Sequence, residues 1–318
     1  MTDLAVETRN NRSHSETVAF LLMVGFLVVA PAFIYPVFLM KALCFALFAC
    51  AFNLLIGFVG LLSFGHALYF GWASYLTAYS AKAWGLPPEL AILTGVVTAT
   101  LFGAVAGLLA IRRQGIYFAM VTLAFAQMMY LVAVRAPFTG GEDGIQAVPR
   151  GTLFGLIDLN DQTNMYITVV VIFLAGFLLI YRVINSPFGE VLKAIRENEA
   201  RAISLGYKTD RYKLVAFVLS AALAGLAGGT KAIVLQIASL TDVNWPMSGE
   251  VVLMALVGGL GTVFGPVAGA FVIIAMQNYL AQVGQWVTVI QGVVFVVCVL
   301  LFRRGIVGEL AGLLRIRL

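Results

Sequence analysis

Seven stretches of the chain carry no charged residue: 18–40, 42–81, 90–111, 114–134, 162–181, 214–230 and 251–302. A helix that crosses a bilayer takes about 20 apolar residues. The 42–81 run therefore holds two such helices, the 251–302 run two or three, and each other run one. The pattern predicts an all-α polytopic membrane protein of about 8–10 transmembrane helices.

One segment breaks the pattern. "SPFGEVLKAIRENEARAISLGYKTDRYK", residues 186–213, is dense in charge. Ser186 suits an N-cap and Pro187 the first helical position. Phe188, Val191, Leu192, Ile195, Ala202 and Ile203 recur at helical spacing and form an apolar stripe. Glu190, Lys193, Arg196, Glu197 and Arg201 take the other faces, and Gly206 ends the helix. The spacing predicts one amphipathic rod between two membrane helices, able to pass a push from a partner into the bilayer. The bland alternative is a helix lying on anionic lipid.

Composition agrees with a lipid solvent. The chain is 61% hydrophobic and 11% charged, with mean hydropathy +0.98, where a soluble domain carries roughly 25% charged residues. The 18–40 run is too long for a signal-peptide core and reads as a retained helix. Of the 20 Lys and Arg residues, 15 fall in segments that can share one side: Arg9 and Arg12, Arg112 and Arg113, seven between Arg182 and Lys213, and Arg303, Arg304, Arg315 and Arg317. Basic residues favour the cytoplasmic side. The domain plan is then a cytoplasmic tail at 1–17, a transmembrane permease body at 18–302 and a cytoplasmic tail at 303–318. Within the body, 182–213 is a cytoplasmic coupling loop and 137–164 a periplasmic loop. Parity then favours ten crossings. The basic residues are spread over membrane edges, which gives no nucleic-acid surface. Cys44, Cys50 and Cys298 lie in apolar runs without CxxC spacing, so neither disulfide nor metal site is assigned.

Two apolar stretches are interrupted by glycine, "GFVGLLSFGHALYFG" at 57–71 and "GGLGTVFGPVAG" at 258–269. Irregular backbone at membrane depth needs protein or a water-filled path to cover it, and paired interruptions point to a transport site. The candidate pathway or gate is Asn53, Gly57, Gly60, Ser63, Gly65, His66, Tyr69, Gly258, Gly259, Gly261 and Gly265. The alternative for each glycine is close helix packing, as in the Gly103/Gly107 and Gly225/Gly229 pairs. His66 is an ionisable group in a charge-free run; its plain alternative is a neutral imidazole bonded inside the bundle. Asn53, Gln127, Gln277 and Asn278 suit interhelical hydrogen bonds. The charge-free runs offer no carboxylate for ion coupling, and Asp242 and Glu250 read as edge residues. No phosphate-binding loop, dinucleotide fingerprint, HExxH or GxSxG is present, so no ATPase or hydrolytic site is assigned.

The 186–229 segment, with "GLLSFGHALYFGWASYLTA", "TGGEDGI" and "GEVVLMALVGGLGTVFGPVAGA", resembles the permease subunit of branched-chain amino acid ABC importers, LivM type. The likeness runs from about residue 40 to residue 304. It implies a transport subunit, not an enzyme, of the bacterial inner membrane, translocating branched-chain amino acids by alternating access. It further implies a second permease of LivH type, two ABC ATPase subunits that bind ATP and Mg, and a periplasmic substrate-binding protein. No cofactor is implied for this chain. ATPase coupling would fall to Phe188, Leu192, Ile195, Arg196, Glu199, Ala200, Ile203 and Gly206. Glu199, Ala200 and Gly206 match the family's Glu-Ala-Ala…Gly signature, from which Arg201 and the position of Gly206 depart. The loop at Thr139, Gly140 and Gly141 is the candidate docking surface for the binding protein. Close relatives carry urea or short amides, and a self-sufficient carrier or channel is the rival from another class.

Overall fold

The computed structural model describes residues 17–280, 284, 286–301 and 305–313. The terminal arginines used above for orientation, Arg9, Arg12, Arg303, Arg304, Arg315 and Arg317, lie outside the described residues. Within them the chain is helical, in the order α1 (Thr17–Ala32), α2 (Pro36–Phe58), α3 (His66–Ala83), α4 (Pro88–Ala110), α5 (Ile116–Arg135), α6 (Gln162–Ile184), α7 (Pro187–Glu197), α8 (Glu199–Ser204), α9 (Thr209–Leu235), α10 (Leu240–Val243), α11 (Trp245–Gly258), α12 (Gly265–Tyr279), α13 (Trp286–Leu301) and α14 (Gly305–Leu313). Five of these, α2, α4, α5, α6 and α9, are long and apolar enough to cross a membrane. The 251–302 run divides among α11, α12 and α13, which are 14, 15 and 16 residues long.

Two expectations need correction. The 18–40 run is not one helix. α1 stops at Ala32 and residues 36–40 begin α2, because Pro36 holds Tyr35 out of the helical region (φ −57, ψ 123). The rod over 186–213 is also not continuous. Asn198 is extended (φ −157, ψ 96) and its side chain caps α8 by accepting from the Arg201 amide at 3.0 Å. An internal N-cap splits the rod into α7 and α8.

α2 is apolar on every side and sits at the centre of the bundle, its Leu39, Met40, Phe48 and Phe52 fully enclosed. α9 packs against α2, α3 and α4. Small residues set these crossings: a Cβ on Gly103 would meet Ala221, on Gly225 Ala99, and on Gly228 the Phe70 carbonyl. Gly228→Val is therefore expected to cost about 1–3 kcal/mol, read as a lower melting temperature in detergent. Gly249→Ala, which meets nothing within 4 Å, should leave the melting temperature unchanged or slightly raised.

The bundle has two distinct ends. One gathers the 59–65 turn, the α4–α5 turn, α7, α8, the 259–264 turn and α14. At the other, the 136–161 loop forms two short antiparallel pairs. β1 (Ile145–Gln146) joins β4 (Ile237–Ala238), and β2 (Thr152–Leu153) joins β3 (Ile157–Asp158). Arg150 Nη2 donates to the Val234 carbonyl (2.9 Å) and Lys82 Nζ to the Gln146 carbonyl (2.8 Å), tying the loop to α9 and α3.

Candidate functional site

α7 starts as its sequence dictates, with Ser186 Oγ accepting from the Gly189 amide at 3.3 Å and Pro187 in the first turn. Its apolar stripe faces the bundle: Leu192 and Ile195 are buried, and Phe188 stacks on Tyr212 at 5.6 Å. Leu192 and Ile195 anchor the helix and are enclosed against the bundle, while Phe188 stays half-buried. Glu199 is also taken inward. Its carboxylate accepts from Lys213 Nζ (2.5 Å) and from Gln114 Nε2 (3.1 Å), joining α8 to α9 and to the α4–α5 turn. α8 and the turn after it leave outside Ala200, Arg201, Ile203 (55% exposed), Ser204, Leu205 (72% exposed), Gly206, Tyr207 and Lys208. That is a mixed surface with apolar Ile203 and Leu205 at the charged end of the bundle.

The two glycine breaks meet there. Asn53, on α2, reaches across to the 259–264 turn with both amide groups: Nδ2 donates to the Thr262 carbonyl (2.9 Å) and Oδ1 accepts from the Gly261 amide (3.1 Å). Gly57 and Gly261 approach so closely that a Cβ on Gly57 would lie 2.8 Å from the Gly261 nitrogen. Arg196 of α7 completes the junction. Its Nη1 donates to the Gly57 carbonyl, while a Cβ on Gly261 would lie 3.1 Å from that same nitrogen and one on Gly60 3.2 Å from Arg196 Cγ. Gly258 and Gly265 press backbone to backbone across the same turn, and Gly305 at the start of α14 closes over Gly259. One guanidinium of the charged helix thus touches both interruptions.

The other expected pathway residues lie elsewhere. Ser63 and Gly65 belong to the turn that docks on α5, where the Phe64 amide donates to Thr122 Oγ1 (3.2 Å). His66 is fully enclosed. Its Nε2 shares a hydrogen bond with Ser220 Oγ (2.9 Å), which donates to the Ala51 carbonyl (2.5 Å), and the rings of Phe52, Tyr69 and Phe217 surround it edge-on. His66 and Tyr69 are core groups joining α2, α3 and α9, and Ser63 is a buried turn group accepting from the Gly65 amide; none of them joins the Arg196 junction. At the opposite end Thr139 is buried and donates to the Ala133 and Ala136 carbonyls, both at 2.6 Å. It cannot present itself to a docking protein. The exposed groups beside it are Gly140, Glu142 and Asp143. Asp242 is likewise no edge residue: it is 2% exposed and pairs with Lys231 at 2.5 Å.

The junction is built of amide, hydroxyl and guanidinium groups. Among the described residues no group of three His, Cys, Asp or Glu gathers that could hold a metal.

The family described as branched-chain amino acid transport system, permease component, matches residues 35–300. The high-affinity branched-chain amino acid transport system permease protein LivM of Salmonella typhimurium is 27% identical over 258 residues, covering 74% of this chain and 60% of the relative. The LivM of Escherichia coli is 26% identical over 257 residues, with the same shares. A probable branched-chain amino acid transport permease protein LivH of Methanocaldococcus jannaschii is 32% identical over 111 residues, 33% of this chain and 32% of the relative. The chain spans about three fifths of the length of the LivM proteins it matches.

Proposed function

The chain belongs to the branched-chain amino acid transport permease family, and from that premise we propose that it is the membrane-spanning subunit of an ATP-driven importer of branched-chain amino acids. It pairs with a second permease of LivH type. Of the two ABC ATPase subunits, which hold the ATP and Mg, one seats on the exposed surface of Ala200, Ile203, Leu205, Gly206 and Tyr207. A periplasmic binding protein delivers the solute at the other end, where Glu142 and Asp143 are exposed. The segment 182–213 and both tails are cytoplasmic, and the loop 137–164 is periplasmic, in the bacterial inner membrane.

The observation that carries this reading is Arg196. α7 is anchored to the bundle by Leu192 and Ile195, so a displacement of α8 by closing ATPases moves α7 as a rigid body. Arg196 hands that movement to the Gly57 carbonyl, and through Gly57 and Gly261 to the ends of α2, α11 and α12. Those ends carry the Gly-rich turns, where Gly60, Gly259 and Gly261 take positive φ that other residues rarely adopt. Alternating access then follows from opening and closing the junction.

The test is reconstitution. With a LivH-type permease, two ATPases and a binding protein, proteoliposomes are expected to accumulate leucine only when ATP is supplied. Accumulation by this chain alone under a proton or sodium gradient would refute the reading.

A further inference from the structure

Four charged side chains stand at or near membrane depth, toward the end opposite α7: Lys41 on α2, Lys231 on α9, Asp242 on α10 and Glu250 on α11. They lie within one another's electrostatic reach. Two of them are satisfied, for Lys231 and Asp242 neutralise each other in an enclosed contact. The other two are half-buried and are not consumed by each other. Lys41 Nζ lies over the Phe45 ring, 5.9 Å from its centroid, and no carboxylate comes within 4.0 Å of it among the described residues. Glu250 Oε2 accepts from Gln277 Nε2 at 2.8 Å, and no cation comes within 4.0 Å of its carboxylate among the described residues.

A lone ammonium and a lone carboxylate are costly at membrane depth and are functional groups by default. Here they are opposite in sign and on helices that pack together, α2 and α11, above the enclosed rings of Phe45, Phe48 and Phe70. The Tyr75 hydroxyl, enclosed and without a partner among the described residues, feels the Asp242 charge and adds a donor to the same region. An α-amino acid carries the complementary set, a carboxylate, an ammonium and an apolar side chain.

We propose that Lys41 and Glu250 form a transit site for the zwitterionic head of an α-amino acid. Lys41 receives the carboxylate, and Glu250 with Gln277 receives the ammonium. This rests on the importer reading above and names the groups that hold its solute.

The test uses the complete transporter in proteoliposomes with radiolabelled leucine. Lys41→Met and Glu250→Gln are each expected to cut uptake about tenfold or more, since each removes a charge-assisted hydrogen bond to the solute. Lys41→Arg is expected to keep most of it. The exchanged pair, Lys41→Glu with Glu250→Lys, should remain as poor as the single variants, because the head would have to reverse while the rest of the path stays as it is. Recovery of wild-type uptake by the exchanged pair would overturn the proposal, since the two charges would then serve each other. Wild-type uptake by both single variants would overturn it too. Should either variant fail to accumulate in the membrane, amine-reactive labelling of Lys41 in the wild-type complex decides. Leucine is expected to slow that labelling, and isopentylamine, which lacks the carboxylate, is not; equal rates would sink the site. A wild-type complex that moves no leucine removes the importer reading and the site with it, whereas full uptake by both single variants removes only the site.

Discussion

Arg196→Ala, placed in the assembled transporter, is expected to lower leucine uptake about tenfold or more and to raise the ATP consumed per leucine moved. The guanidinium makes a charge-assisted bond to the Gly57 carbonyl, of the kind worth roughly 1.5–3 kcal/mol. The rest of the Arg196 side chain is exposed, so truncation opens no cavity, and Leu192 and Ile195 still hold α7 in place. What is lost is the one side-chain bond through which α7 grips the junction of the two glycine breaks. Arg196→Lys keeps a positive donor but not the planar fork, and should recover only part of the stoichiometry. Uptake and hydrolysis measured in the same proteoliposomes separate this outcome from a folding defect, which would lower both together. A wild-type ratio of ATP to leucine in Arg196→Ala would show that the force travels by another route.

Much of this arrangement was visible before any coordinates. Charge-free runs become helices because lipid cannot hydrogen-bond an open backbone, and that argument needs only composition along the chain. Ser186 and Pro187 announced the start of α7 because capping is local chemistry. The two glycine breaks were equally plain. Their meeting was not: Asn53 and Gly261 are 208 residues apart, and no periodicity reports a contact at that separation. Nor could spacing show which way the stripe of α7 faces. Leu192 and Ile195 look the same whether they grip the bundle or an ATPase. Asn198 gives no sign of the break in sequence, since an Asn becomes an internal cap only when its own backbone leaves the helical region. Asp242 was misplaced for a similar reason. A run that ends at its first charge stops at Thr230, yet α9 continues to Leu235, because a partner on the returning chain neutralises the lysine.

That returning chain supplies the second large effect. Residues 236–244 fold back from the end of α9, bring Val243 against Gly71 of α3, and lead into α11. The Lys231–Asp242 pair holds this turn, with Ser239 Oγ donating to the Asp242 carboxylate at 3.4 Å. Asp242→Asn leaves an ammonium enclosed at about 5% exposure with no counter-charge in contact. Breaking one side of a buried pair costs about 3–5 kcal/mol. The expected result is a sharp loss of monodisperse protein in detergent and a clearly lower melting temperature. Lys231→Met should be as harmful, since it strands the carboxylate. The double variant Lys231→Met with Asp242→Leu removes both charges and keeps similar volume, and replacing a buried pair in this way is often neutral or stabilising. Its yield should return most of the way to wild type. If Asp242→Asn alone folds and melts like wild type, the pair is not what pins the turn, and Val243 against Gly71 must hold it unaided. If the double variant is worse than either single change, the two charges stabilise the bundle beyond neutralising each other, and the cost of enclosing them is smaller than the figure used here.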